Sequence, residues 1–149
     1  MKGDTLVEVL VALAVATVVI SALTSLGIVT INNVRYIKDE DQSTKYAQEG
    51  METVRNIRDS NYLAFRNYDG RYCLGTDPTL TNAVASCTIT NLEDHYIRSV
   101  QVTRNGCGGN LSSVTVTVAW SDTKCLSGTY CHSSKISSCF STVPPVNAP

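Results

Sequence analysis

Charged residues are missing from one long stretch of this 149-residue chain. None occurs from Val9 through Val34, a run of 26 positions, although 17% of the chain is charged and about four charges would be expected there. The run exceeds the roughly 20 apolar residues that cross a bilayer as a helix. Val9–Val34 is therefore predicted to be a transmembrane segment.

Two other interpretations of this stretch explain it less well. A cleaved secretory signal has a shorter apolar core of about 7–15 residues and a small-residue cleavage site, and here the apolar stretch runs straight into a helical polar stretch. A helix buried in a soluble core is rarely apolar on all sides for this length. A single membrane crossing accounts for the pattern better than either.

An excess of charge of one sign is also missing. Lysine and arginine number 12 and aspartate and glutamate 13, so the net charge is −1. These averages exclude a disordered, collagen-like or strongly nucleic-acid-attracting chain and fit about one domain. DNA binding is not indicated, because Arg98, Arg104, Lys124 and Lys135 are too few and too scattered to form a strong basic patch.

Proline is absent from Met1 through Asp77, so nothing in that part of the chain imposes a helix break. Beyond the uncharged run, apolar residues recur at the three- and four-residue steps of an amphipathic helix. They are Val34, Ile37, Ala47, Met51, Val54 and Ile57. One continuous helix is predicted over about residues 5–60. Gly27 and Gly50 lie inside it, and either they permit bending or close packing or they are merely tolerated.

Strand-like patterns follow the helix. Alternation of polar and apolar residues predicts strands over Ser86–Thr90, Tyr96–Thr103, Ser113–Trp120 and Lys135–Phe140. Asn67–Gly70 is predicted to be a turn and Asn105–Asn110 a flexible hairpin connection. The predicted fold class is α+β, with the long N-terminal helix packed on a small antiparallel sheet that disulfides stabilise.

The cysteines include no C-x-x-C pair of the kind that metal sites and redox motifs use. Six cysteines are dispersed over the last 77 residues, at Cys73, Cys87, Cys107, Cys125, Cys131 and Cys139. An even, dispersed set in a small Ser/Thr-rich domain predicts three disulfides in an oxidising compartment, which places the C-terminal domain outside the cytoplasm. Six cysteines allow 15 pairings, and proximity favours Cys73–Cys87.

Catalytic and cofactor motifs are missing as well. No Gly-rich phosphate loop, Ser-x-x-Lys, His-Glu-x-x-His or nucleophile elbow is present. The histidines are His95 and His132, and His132 follows Cys131, but cysteines of an exported domain are far more often paired than catalytic or zinc-bound. We therefore expect no enzyme activity, no metal and no cofactor.

Two weaker patterns have more than one interpretation. Several tyrosines are able to stack on bases or sugars but more often pack within a sheet; they are Tyr62, Tyr68, Tyr72, Tyr96 and Tyr130. Asn110-Leu-Ser112 fits the glycosylation sequon, which is a weak match on its own.

The start of the chain carries a more specific motif. Gly3-Asp-Thr-Leu-Val-Glu-Val-Leu10 resembles the leader junction of type IV pilins and pseudopilins, in which a prepilin peptidase cuts after a glycine and a glutamate lies five residues into the mature chain. Gly3 and Asp4 match the two sides of the cut, and Glu8 matches the glutamate. Ala47–Asp59 and Val114–Asp122 are similar to segments of the minor pilins called type IV pilus modification proteins.

The resemblance implies a structural subunit of a type IV pilus or of a related secretion or DNA-uptake filament. The implied partners are other pilin or pseudopilin subunits, prepilin peptidase, the inner-membrane assembly platform and the lipid bilayer. The chain would be a single-pass cytoplasmic membrane protein before assembly and part of a cell-surface filament afterwards. Cleavage after Gly3 creates an amine, normally methylated, and the family implies that it pairs with Glu8 of another subunit to set the axial register.

Glu8 has a physical interpretation of its own. A carboxylate at the edge of an apolar span costs several kcal/mol at bilayer depth unless it is paired, which makes it a functional candidate; the alternative is a glutamate that merely lies among the headgroups. Asp4 stands where the family usually has phenylalanine, and a second carboxylate is costly in the apolar core of a filament. We therefore expect a rare subunit, at a filament tip or in an initiation complex.

The predicted organisation combines the motif with the patterns. It consists of a leader at 1–3, a transmembrane and assembly helix at 4–34, an amphipathic helix at 35–61, an antiparallel β domain at 62–142 and a disordered tail at 143–149. The leader is very short, which leaves open a translation start upstream. The alternative function is a non-assembling, single-pass membrane protein whose disulfide-rich outer domain binds an extracellular ligand.

Overall fold

The structure, a computed structural model, describes residues 4–82, 87, 91–93 and 95–142. Within those residues the order of elements is α1 (Asp4–Ser60), α2 (Tyr62–Phe65), β1 (Gly70–Cys73), β2 (Thr81–Asn82), β3 (Asn91–Leu92), β4 (Tyr96–Thr103), β5 (Leu111–Trp120) and β6 (His132–Ser141). The chain divides into two compact units, and the boundary between them falls between Lys38 and Asp39.

The described strands form one antiparallel sheet in the order β2-β1-β4-β5-β6, and β3 also pairs with β4. The register aligns side chains of one face in rows, so that Val100 of β4 lies opposite Val116 of β5, which lies opposite Ile136 of β6. Along β5 every second residue is buried, from Ser112 to Trp120. This alternation is that of a sheet with one face on a core, and the predicted α+β fold is confirmed.

The second half of α1 covers the buried face of the sheet. Its buried residues recur at three- and four-residue steps and are Ser43, Tyr46, Ala47, Gly50, Met51 and Val54. The predicted helix over 5–60 is confirmed, but the predicted stripe begins too early, because Val34 and Ile37 are 59% and 61% exposed. They continue the exposed apolar surface of the first half of α1.

Asn61 separates the two helices. Its side-chain Oδ1 accepts a hydrogen bond from the backbone N–H of Ala64 at 3.0 Å and so caps the N-terminus of α2. The short helix then places Phe65, 1% exposed, edge-on against Phe140 of β6 with the ring centroids 6.1 Å apart. The chain therefore returns to the sheet directly after α1 ends.

Gly50 allows a buried arginine to reach the backbone of α1. Arg98 of β4 is 1% exposed, and its guanidinium donates to the carbonyl oxygens of Tyr46 at 3.0 Å, Leu74 at 3.1 Å and Gly75 at 2.6 Å. A Cβ atom at Gly50 would lie 2.8 Å from Cδ of Arg98. Close packing is therefore the role of Gly50, whereas a Cβ at Gly27 would meet no described atom within 4 Å.

Strand prediction succeeded where the alternation is long. The predicted strands at 96–103, 113–120 and 135–140 correspond to β4, β5 and β6, of which the last two are longer than predicted. The elements α2, β1, β2 and β3 were not predicted, because two to four residues carry too little periodicity. Ser86–Thr90 lies outside the described residues except for Cys87, which belongs to no described strand, and the leader at 1–3 and the tail at 143–149 also lie outside them.

The six cysteines form three disulfides: Cys73–Cys87, Cys107–Cys139 and Cys125–Cys131. The prediction of three bridges and of the Cys73–Cys87 pair is confirmed. Cys107–Cys139 joins the β4–β5 connection to β6, and Cys125–Cys131 closes the β5–β6 connection on itself. Each bridge thus restrains a loop that the small sheet alone would hold weakly.

We expect Gly50→Ala to destabilise the folded domain. The added methyl group would also lie 3.0 Å from Cγ1 of the buried Val116, and displacing Arg98 would weaken the hydrogen bonds of a buried charge. Overpacking of this kind costs about 1–3 kcal/mol. Chemical unfolding of the full chain in detergent, followed by the fluorescence of Trp120, measures the loss. Gly27→Ala is the matched control and leaves this transition unchanged; equal stability of the two variants would contradict the packing role of Gly50.

We expect the three disulfides to differ in their contribution to stability. They close loops of 32, 14 and 6 residues for Cys107–Cys139, Cys73–Cys87 and Cys125–Cys131. In the chain-entropy model the largest loop stabilises by about 1.5 kcal/mol more than the smallest. Unfolding of three variants, each with one pair replaced by serine, measures the order. A loss at Cys125–Cys131 as large as that at Cys107–Cys139 would contradict it.

Candidate functional site

The first half of α1 presents an exposed apolar surface. Every residue from Leu6 through Lys38 is exposed, and the leucine, valine and isoleucine side chains among them are about 50–70% accessible. By length and composition α1 can cross a membrane. Exposed apolar surfaces of this extent are typical of segments that lie in a membrane or against other protein chains.

Hydroxyl groups within this apolar surface are satisfied inside the helix. Each donates to a backbone carbonyl oxygen three or four residues earlier, at 2.7–3.0 Å. The donors are Thr17, Ser21, Thr24, Ser25 and Thr30. Polar groups in a hydrocarbon environment need partners of this kind, because no water is there to replace them. These residues are therefore compatible with a membrane environment.

Glu8 differs from these hydroxyl residues. It is exposed on α1, one turn after the helix begins at Asp4, and it is the single charged residue between Asp4 and Arg35. Among the described residues no cationic group lies within ion-pair distance of its carboxylate. Gly3 lies outside the described residues. The assignment of Gly3, Asp4 and Glu8 to cleavage and assembly stays a prediction from the sequence.

The folded domain begins with a partly buried polar cluster around the buried Tyr96. The hydroxyl group of Tyr96 donates to Oδ1 of Asp39 at 3.2 Å, and its ring contacts Tyr46 edge-on with the centroids 5.2 Å apart. Nε2 of His95 lies 3.9 Å from Oδ2 of Asp39. Burial raises the pKa of Tyr96 to about 12, and the negative charge of Asp39 adds to the increase. Burial also raises the pKa of Tyr46.

His132 lies beside a disulfide and not beside a thiol. Ligand atoms of Asp122, Cys125, Cys131 and His132 all fall within 4.8 Å of one another, but the two sulfur atoms are bonded together. A disulfide supplies neither a thiolate nucleophile nor a thiolate ligand. Nε2 of His132 instead lies 3.2 Å from Oδ2 of Asp122, and its ring stacks on Trp120.

Asp122 organises the connection after β5. Its Oδ1 accepts a hydrogen bond from the backbone N–H of Lys124 at 2.8 Å, and this bond is the main cause of the lowered pKa of the Asp122 carboxyl group. His132 lowers the same pKa further. The β5–β6 connection is thus closed by the carboxylate of Asp122, the imidazole ring of His132 and the disulfide Cys125–Cys131.

Arg98 is a residue whose position the sequence did not reveal. The sequence shows it only as one of four cations too scattered for a basic patch, whereas it is buried among backbone carbonyl groups, with Nη1 3.4 Å from Oε1 of Glu49. Burial lowers the pKa of Arg98, and Glu49 opposes that effect. The alternation along β4 is the sequence signal that indicates burial of Arg98, because Arg98 shares the inward face of that strand with Tyr96 and Val100. Arg104, by contrast, is exposed.

Comparison of the chain with protein-family models, with curated proteins and with solved structures finds no match. Membership of the pilin family therefore stays a prediction from the N-terminal motif and the patterns described above.

The environment of Tyr96 predicts a loss of stability in alkali. Tyr96 stays neutral in the folded chain up to a pKa of about 12, whereas an unfolded tyrosine ionises near pH 10. Its contribution is complete below about pH 10 and is lost as the pH rises from 10 through 12. Chemical unfolding across that range measures the loss, and Tyr96→Phe should flatten it. A pH dependence that is equally steep in Tyr96→Phe would contradict the assignment.

Proposed function

We propose that the chain is a minor pilin or pseudopilin, a structural subunit of a type IV pilus or a related secretion or DNA-uptake filament. The observation that supports this most is a single helix with three properties. α1 begins with a motif that resembles a prepilin cleavage site, continues as an exposed apolar surface and ends as the stripe that covers the sheet. Such a helix both inserts into a membrane and is part of a folded domain.

The exposed apolar surface suits transfer from membrane to filament. In the membrane, lipid chains cover the side chains from Leu6 onward. In a filament, the same side chains pack against equivalent helices of neighbouring subunits, so that they stay out of water in both environments. The domain that follows carries the disulfides, which fits a location outside the cytoplasm and finally on the cell surface.

Glu8 supplies the specific contact in this proposal. Cleavage after Gly3 creates a cationic amine at Asp4, one helical turn from Glu8. An unpaired carboxylate is costly in an apolar bundle, whereas a carboxylate paired with the amine of a neighbouring subunit is stabilised. Only one axial offset between subunits brings the two groups together, so the pairing selects the register.

Asp4 makes the subunit suited to a position with few neighbours. A carboxylate next to the amine competes with Glu8 of the neighbour and is costly where the first turn is fully packed. At a filament tip or in an initiation complex fewer subunits surround that turn. The proposal therefore assigns a low abundance to the chain relative to the major subunit.

The N-terminus of the mature protein distinguishes this function from the alternative, which is a non-assembling, single-pass membrane receptor for an extracellular ligand. We expect mass spectrometry of the mature protein to find an N-terminal peptide that begins at Asp4, and Gly3→Ala to abolish that cut. Glu8→Gln should reduce the amount of the chain in sheared filaments by about tenfold or more, because it removes one charge-assisted contact per interface. Quantitative immunoblotting of membrane and filament fractions measures the distribution.

Glu40→Gln is the matched control for Glu8→Gln. Glu40 is an exposed carboxylate on the same helix, beyond the apolar surface, and its replacement should leave the filament fraction unchanged. An uncut Met1 in functional protein, or absence of the chain from all filaments, would favour the non-assembling receptor. Recovery at the same stoichiometry as the major subunit would contradict the assignment to a tip or initiation complex.

A further inference from the structure

We propose that a cationic cavity formed by α2, the β4–β5 connection and the end of β6 binds a sugar that carries a carboxylate group. The cavity has a volume of about 460 Å³ and contains Tyr62, Arg66 and Arg104 among its lining residues. This volume lies within the roughly 300–1,000 Å³ of small-molecule sites. The inference does not depend on filament assembly, because the cavity lies within the folded domain.

The three segments that form the cavity are held together by covalent and polar links. The disulfide Cys107–Cys139 joins the β4–β5 connection to β6. The backbone N–H and the hydroxyl group of Thr142 both donate to the carbonyl oxygen of Asn110, at 2.9 and 2.8 Å. A cavity fixed in this way loses little freedom when a ligand binds, which favours affinity.

Arg104 has a fixed orientation at this site. Its backbone N–H donates to Oδ1 of Asp69 at 3.2 Å, and Nη2 of its guanidinium donates to the carbonyl oxygen of Asn67 at 3.3 Å. A guanidinium group has five N–H donors, so most of them stay available for a ligand. Asn67 also lines the cavity, and its backbone thereby positions the arginine without neutralising its charge.

The cavity carries positive charge. No aspartate or glutamate is among its described lining residues, and neither Arg66 nor Arg104 forms an ion pair with a described carboxylate. Arg58, whose guanidinium lies over the ring of Phe140, is by contrast paired with Asp59. Two guanidinium groups in one concave site, neither in an ion pair with a described carboxylate, attract an anion, and their planar donors match the two oxygens of a carboxylate.

The remaining lining residues favour a sugar over other anions. Asn105 and Asn110 are lining residues whose amide groups can donate and accept hydrogen bonds, as a ring with several hydroxyl groups requires, whereas Nδ2 of Asn67 already donates to the carbonyl oxygen of Leu63 at 3.3 Å. Tyr62 supplies an aromatic ring for the apolar face of a sugar. A nucleic acid would need a longer basic surface along its phosphates, which two arginines do not provide.

Binding measurements on the full chain in lipid nanodiscs test the proposal. The probe is a tetrasaccharide that contains glucuronic acid, with neutral cellotetraose and a short single-stranded DNA as comparisons. We expect the acidic tetrasaccharide to bind about tenfold or more tightly than the neutral one, with an affinity that falls as salt rises. Arg66→Gln/Arg104→Gln should weaken its binding by a similar factor.

Arg71→Gln is the matched control, because Arg71 is an exposed arginine of β1 outside the cavity lining. This variant should bind the acidic tetrasaccharide as tightly as the wild type does. Arg66→Gln alone guards against misfolding, because the described hydrogen bonds and ion pairs of the domain do not include its side chain. Equal binding of the acidic and neutral sugars, no binding of either, or wild-type affinity in the double variant would overturn the proposal. Tighter binding of DNA at the same arginines would overturn the assignment to a sugar.

Discussion

The packing of Arg98 against α1, where its guanidinium donates to the carbonyl oxygen of Tyr46 and its side chain passes Gly50, is the constraint on which the folded domain depends. A buried guanidinium is stable only if its donors are satisfied, and three carbonyl oxygens from α1 and from the loop after β1 satisfy this one. Because the arginine belongs to β4, the contact determines which part of the helix crosses which part of the sheet. The glycine, unfavourable in a helix by propensity, is needed because a methyl group would occupy the space of the arginine.

Around this contact the domain is stabilised by two complementary means. The inward side chains of β4 and β5 form an apolar core with Ala47, Met51 and Val54 of α1. The connection after β1 adds Leu74 and Leu80 to this core, whereas the connections between β4 and β5 and between β5 and β6 add no described residue to it and are restrained by disulfides. This division leaves the connections between β4 and β5 and between β5 and β6 free to vary in chemistry, since their conformation does not depend on burying particular side chains. The cavity around Arg66 and Arg104 is formed from such loops.

The two functional proposals concern different parts of the chain. Filament assembly concerns the exposed apolar half of α1, whose requirements are lipid or protein neighbours and a partner for Glu8. Sugar binding concerns the end of the folded domain, whose requirements are two positioned cations and amide groups. A subunit with both properties would present a recognition site at the surface of a filament. Each property is nevertheless independent of the other in its physical basis.

The sequence alone determined the features that depend on neighbours along the chain. The membrane-compatible segment, the long helix, strands β4, β5 and β6 and the oxidised state of the cysteines follow from runs, periodicity and composition. Short elements such as α2 and β1 were missed, because the packing around them stabilises them more than their own residues do. Tertiary structure decided the pairing of Cys107 with Cys139, the hydrogen bond of Arg98 to α1 and the presence of Arg66 and Arg104 at one cavity. Each of these features brings together residues that are far apart in the chain, and only the packing of the helices and connections onto the sheet does so.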